Sequence, residues 1–229
     1  MGFNYDDPDG WTPPANRQAN YGDFLHWMGQ YVAHGLMGVI LADTRSPYRI
    51  IKVVNLNRKV GDLRHYSNNM QAEFFEEHWR ENIEGLVKIY SFTYFTATKP
   101  MMKTLADKIA QGCENPLSKL QILDMEEGNE MSMWLMEQAD YVGLTHPDLS
   151  REEMIKRVAE AAYNISKQTG MYIGDLKSNN YGFRKDGSAV IFDFNLSEID
   201  ESWDGYIEKE HYYGVIGPAS DLYLYGIEP

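Results

Sequence analysis

One cysteine, Cys113, stands in 229 residues. It excludes an intrachain disulfide framework and a cysteine zinc cluster, and it points to a reducing cytoplasm. No apolar run approaches the roughly 20 residues needed to cross a bilayer, and the opening MGFNYDDPDGW lacks the basic-then-apolar layout of a secretory leader. Basic residues are scarce: 21 Lys and Arg against 34 Asp and Glu give a formal net charge of −13. That balance argues against bulk nucleic acid and anionic membranes as partners, because both require a basic footprint. A nucleotide is still admissible if a local lysine and a divalent metal offset its phosphates.

What is present suits one large domain or two small lobes with a real core: 43% apolar and 24% charged residues, in a chain long enough to bury them. Residues 1–20, rich in Asp, Asn, Pro and Gly, read as an irregular extension. Asp23 to Val32 carries Phe24, Trp27, Met28 and Tyr31 at helical spacing. From Gly38, VILAD, a turn at Thr44–Pro47 and YRIIKVVN predict a hairpin. Met70 to Ile83 reads as an amphipathic helix, GLVKIYSFTYF from Gly85 as a strand, and Lys99 to Gly112 as a helix. Leu117–Met125 and Glu130–Glu137 predict strands flanking a turn in which Gly128 suits positive φ. Ser150 opens the clearest helix, with Glu152 and Glu153 in its first turn and a stop at Gly170. Arg184–Gly187 is a two-strand turn.

YIGDLKSNNYGFRKDGSAVIFDFN, from Tyr172 to Asn195, places its polar residues oddly for ordinary packing. Asp175 sits in a short polar run, Asn180 follows, and Asp193 is wedged between Phe192 and Phe194 after an apolar stretch. A free carboxylate buried there would be costly, whereas a metal ion gives it a reason.

Asp175-Leu176-Lys177-Ser178-Asn179-Asn180 resembles the catalytic loop of the protein-kinase superfamily, H-R-D-L-K-x-x-N, and Asp193-Phe194-Asn195 resembles its D-F-G metal motif. Upstream, His34–Ala42 with Gly35 and Gly38 resembles the glycine-rich loop, and Arg49-Ile50-Ile51-Lys52-Val53 resembles V-A-I-K. Trp134 to Ala139 resembles the strand-to-hinge passage, and Ser220–Ile227 the helix written S-D-v-y-S-x-G. The resemblance covers roughly Ala33 to Ile227. It implies an α+β, bilobal protein-kinase-like fold, with a β-rich N-lobe and a truncated, mainly helical C-lobe. The implied division is 1–32 as extension and helix, 33–139 as N-lobe with an insertion around 96–125, and 140–229 as abbreviated C-lobe.

The implied chemistry is phosphoryl transfer from ATP with Mg²⁺. Asp175 orients the acceptor hydroxyl and takes its proton, and Lys177 contacts the transferring phosphate. Asn180 and Asp193 offer the oxygen ligands that Mg²⁺ prefers. Lys52 contacts the α- and β-phosphates in partnership with Glu73, although Glu76 and Glu77 lie within one helical turn and compete for that role. Gly35 and Gly38 admit phosphate oxygens to the backbone. Met136 backs the adenine pocket, and the backbone from Glu137 to Ala139 bonds the adenine edge. Asp221 is implied to accept hydrogen bonds from the catalytic-loop backbone.

The pattern also breaks. Ile173 and Gly174 replace the histidine and arginine of H-R-D, which implies no dependence on a phosphorylated activation loop of the usual kind. Asn195 replaces the glycine of D-F-G, at a turn where Asn tolerates left-handed backbone. No A-P-E sequence follows. The expectation is an atypical Ser/Thr protein kinase. A pseudokinase or binding module regulating a protein partner, and a small-molecule phosphotransferase (from the Gly174-Asp175 pair), are the alternatives.

Overall fold

The computed structural model describes residues 21–34, 38–57, 59–60, 63–64, 66–113 and 125–198, together with Tyr212 and Ile216. The expectations for residues 1–20, Gly35, most of Leu117–Met125, the segment after Glu198 and Asp221 lie outside them. The chain divides into two compact units, one of residues 1–79 and 88–138, the other of residues 80–87 and 139–229.

The first unit is built on an antiparallel five-stranded sheet. In chain order its described elements are α1 (Tyr21–Trp27), β1 (Met28–His34), β2 (Gly38–Asp43), β3 (Arg49–Asn55), the short pair β4 (Lys59–Val60) and β5 (Leu63–Arg64), α2 (Tyr66–His78), β6 (Ile89–Thr96), α3 (Lys99–Ala110) and β7 (Glu130–Glu137). The sheet order is β1-β2-β3-β7-β6. β7 shows why this sheet is buried on both faces. Met131, Met133 and Leu135 alternate with Ser132, Trp134 and Met136, and all six are buried. The first set joins Ile51 and Val53 of β3 in a core completed by Phe24 of α1 and by Leu105 and Ile109 of α3. The second set faces α2, whose Phe75 ring meets Trp134 edge-on at 5.2 Å. Tyr90 is the extra residue where the β6–β7 register shifts between Ile89 and Ser91, and it turns into the first core.

One expected helix is corrected. The helical spacing from Asp23 to Val32 holds only to Trp27; Met28 to His34 is an edge strand paired with β2. Gly29 permits this, since a Cβ there would lie 3.0 Å from the Ala42 carbonyl oxygen. α2 also ends at His78 rather than at Ile83, and the strand expected from Gly85 starts at Ile89 after an isolated bridge at Leu86.

The second unit contains β8 (Tyr141–Val142), α4 (Arg151–Thr169), β9 (Met171–Gly174), β10 (Tyr181–Phe183), β11 (Ala189–Ile191) and β12 (Asn195–Glu198). α4 starts as the sequence predicts. Ser150 Oγ accepts from the Glu153 N–H, and the Glu153 carboxylate accepts from the Ser150 N–H at 2.9 Å, a complete capping box. It ends at Gly170 with φ 71. Its buried face, Met154, Val158, Ala161, Ala162 and Ile165, packs against β9 and β11. Residues 80–87 join this unit because β11 claims them: Ile191 N–H donates to the Gly85 carbonyl at 2.8 Å, and Val87 N–H donates to the Ile191 carbonyl at 3.0 Å. Among the described residues no helix is long and apolar enough to cross a membrane.

Gly85 and Gly170 both hold left-handed backbone, but a Cβ at Gly85 would lie 2.5 Å from the Ala161 Cβ, whereas one at Gly170 would meet nothing within 4 Å. Gly170→Ala is expected to cost about 1 kcal/mol and Gly85→Ala about 3 kcal/mol or more, read as shifts in urea unfolding midpoint. Burial pushes the Tyr21 phenol up to about 12. The unfolded chain ionises this group near pH 10 while the folded chain keeps it protonated. Its contribution is therefore complete below about pH 10 and lost as pH rises toward 12. Tyr21→Phe should flatten the alkaline fall in unfolding midpoint.

Candidate functional site

The polar residues of the second unit converge because four short strands and the turns between them bring them there. β9 runs into Asp175, β10 and β11 form a hairpin beyond Asn180, and β12 returns to pair with β9, with Asn195 opposite Gly174. Asp193 and Asp175 are thus carried to neighbouring ends of this arrangement. Asn180, 6% exposed, joins them. Its Nδ2 donates to the Asp175 carbonyl at 2.7 Å and to the Asp175 Oδ2 at 3.1 Å. Its own carbonyl accepts from the N–H groups of Phe192 at 3.0 Å and Asp193 at 3.2 Å. Lys177 Nζ lies 2.5 Å from Asp175 Oδ1. The Asp175 carboxylate is therefore held at both oxygens while staying about 29% exposed.

Asp175 has φ 58, and among the described residues no other non-glycine residue has positive φ. Such a conformation costs about 1–3 kcal/mol and persists only where the surroundings over-determine it. Left-handed tolerance was expected at Asn195 instead. Asn195 is extended, the first residue of β12, and the strain sits on the candidate catalytic residue. The physical reason is the ladder: pairing Asn195 with Gly174 leaves the chain reversal to Asp175.

The donor types are ones a divalent cation takes. Asn180 directs its amide nitrogen to Asp175, which leaves Oδ1 as the end able to meet a cation, and Asp193, a carboxylate residue, joins Asn180 through its backbone N–H. Among the described residues no group of three or more His, Cys, Asp or Glu gathers as a metal cage. Mg²⁺ does not require one, since it takes one or two protein oxygens along with phosphates and waters.

In the first unit Lys52 is 5% exposed, directly across from Trp134 in the β3–β7 ladder, with Nζ 5.6 Å over that ring. Its Nζ donates to Gln71 Oε1 at 3.0 Å. The expected partnership with Glu73 is corrected. Gln71 lies on the buried face of α2 with Phe74 and Phe75, while Glu73, 200° around the helix at 100° per residue, is exposed and borders a surface hollow of about 450 Å³ with Glu76 and Tyr94. The rival acids are engaged elsewhere: Glu76 accepts from the Tyr94 hydroxyl at 3.0 Å, and Glu77 lies 4.0 Å from His78. Burial and this contact push the Tyr94 phenol up.

Gly38 opens β2, where a Cβ would lie 2.7 Å from the Val53 carbonyl oxygen. Its own sheet requires the glycine, a different reason from phosphate approach. Met136 is 1% exposed in the sheet, opposite Ile50 and Ile89. The Glu137 N–H donates to the Lys88 carbonyl and the Gln138 N–H to that of Tyr48. Of the donors expected along Glu137–Ala139, the Ala139 N–H alone has no backbone acceptor among the described residues.

Sequence reasoning missed Gln71 and the buried Tyr212, whose hydroxyl meets the backbone of β9. Helical phase with Phe75 marks Gln71; nothing local marks Tyr212.

No family model matches the chain, and no curated protein matches it. Among solved structures, it is similar to a crystal structure of WbdD, with a TM-score of 0.48 and 10% identity over 88% of this chain. The chain spans 42% of that protein's length.

Asn180→Ala should release both Asp175 and its carbonyl, and is expected to cost about 1–3 kcal/mol in unfolding free energy. Amide exchange should rise locally from Asp175 to Lys177.

Proposed function

We propose that the chain is a protein-kinase-like phosphotransferase that uses ATP and Mg²⁺ to phosphorylate a hydroxyl, with Ser/Thr of a protein as acceptor. The supporting observation is the convergence on Asn180, whose side chain holds Asp175 and whose carbonyl holds the backbone of Asp193. A catalytic carboxylate and two oxygen ligands for one cation are what phosphoryl transfer needs at close quarters.

In this reading Asn180 Oδ1 and the Asp193 carboxylate would hold Mg²⁺, which would supply positive charge to offset that of the phosphates. Asp175, fixed at one oxygen by Lys177 and at the other by Asn180, orients the acceptor hydroxyl and accepts its proton. Lys177, paired with Asp175 and 44% exposed at its side chain, is the cation assigned to the transferring phosphate. In the first unit Lys52 supplies the nucleotide phosphate contact. The Ala139 N–H serves the adenine edge, and Met136 contributes apolar surface.

A second reading, a nucleotide-binding module that regulates a protein partner without transfer, is favoured by one observation: the helix partner of Lys52 is the neutral Gln71. A small-molecule phosphotransferase would use the same groups on a different acceptor.

Labelled ATP with Mg²⁺, offered with the chain itself, generic proteins and small alcohols, distinguishes the three. Transfer to protein is expected. Asp175→Ala should reduce it by about 10²–10⁴-fold while the thermal shift with ATP and Mg²⁺ persists. Full transfer by that variant, or no shift in the native chain, overturns the reading; transfer to alcohols alone changes the acceptor, and a shift without transfer selects the regulatory module.

A further inference from the structure

β9 delivers the chain to Asp175, and among the described residues only β12 pairs with it. Ile173, the penultimate residue of β9, is 0% exposed. A backbone N–H buried there and not used by β12 must find an acceptor within the protein. It finds one far downstream: Ile173 N–H donates to the Tyr212 hydroxyl at 3.3 Å. The same hydroxyl is hydrogen-bonded to Ser166 Oγ of α4 at 2.5 Å. The Tyr212 ring is fully buried and stacks on Tyr172, with centroids 5.5 Å apart and an interplanar angle of 12°. A phenol has one proton and can accept as well as donate, so this hydroxyl can serve both partners.

The contact lies two residues before the strained Asp175. Left-handed backbone at a non-glycine residue holds only when the chain on either side is fixed. Downstream, Asn180 fixes it. Upstream, β12 holds one edge of β9, and Tyr212 holds the Ile173 N–H that β12 does not serve. Ser166 ties that hydroxyl to α4, the longest element of the unit.

We propose that Tyr212 is a positioning residue for Asp175. Its hydroxyl, braced by Ser166, fixes the end of β9 and thereby aims the carboxylate, so a residue beyond the Asp193 segment belongs to the apparatus of the site. The use made of that aim rests on the phosphotransferase reading; the contact itself does not.

Tyr212→Phe in the full chain keeps the ring on Tyr172 and removes only the hydroxyl. Residue-resolved amide exchange from Ile173 to Asn180 is expected to accelerate about tenfold, as loss of one buried hydrogen bond implies, with α4 from Val158 to Ile165 unchanged. With ATP and Mg²⁺, kcat should fall about tenfold while KM for ATP stays within about twofold. Ser166→Ala should move both readouts the same way by a smaller factor, and it carries the test if Tyr212→Phe does not fold. Unchanged exchange at Ile173–Asn180, a uniform rise including α4, or a localised rise with kcat unaltered each overturns the positioning role. A localised rise in a chain whose native form transfers no phosphate supports the hold on Asp175 and overturns the phosphotransferase reading instead.

Discussion

Asn180 is the residue on which the candidate site depends. It is nearly enclosed, and it spends its side-chain donor on Asp175 and its carbonyl on the turn into Asp193. Neither β9 nor the β10–β11 hairpin is long enough to fix two carboxylates by ladder hydrogen bonds alone. Asn180 holds the Asp175 carboxylate and the backbone of Asp193, and in a setting screened from water each bond counts for more than it would at the surface. The strain at Asp175 and the pairing of Asn195 with Gly174 follow from the same closure.

The first unit solves a separate problem. Its sheet is covered on one face by α1 and α3 and on the other by α2, so β3 and β7 are apolar nearly throughout. Lys52 is one of the buried polar exceptions, with Arg49, Asn55 and Ser132. Burying an ammonium costs several kcal/mol unless it is well met, and the indole face of Trp134 with the Gln71 amide meets it without a carboxylate from α2.

Much of this was legible in the sequence where the signal was local. The Ser150–Glu153 pair and Gly170 set both ends of α4, and Asp186-Gly187 set the hairpin, because caps and turns are decided within a few residues. Asp175, Lys177, Asn180 and Asp193 stand in the segments that resemble the kinase catalytic loop and metal motif; side-chain contacts join the first three, and Asp193 meets Asn180 through its backbone N–H. Two readings failed for reasons open to view beforehand. Gly29 sits in the middle of the segment read as a helix, and it marked the strand β1. In α2 the phase of Phe74 and Phe75 already put Gln71 inward and Glu73 outward; the expectation of Glu73 rested on its distance ahead of Gly85–Ile89 and not on that phase. Tyr212 could not have been found. It acts on a backbone group 39 residues away, and no propensity or motif encodes such a contact.

The short stretch 80–87 has a consequence for how the second unit can be handled. Gly85 fits against Ala161 with no room for a methyl group, and both polar groups of Ile191 look to Gly85 and Val87 for their partners. A fragment begun at Ala139 would keep the polar quartet yet strip a strand edge bare and open a furrow along α4. Dissection of this molecule by simple truncation would therefore damage the half it sought to isolate, and splicing 80–87 onto such a fragment is the sounder route.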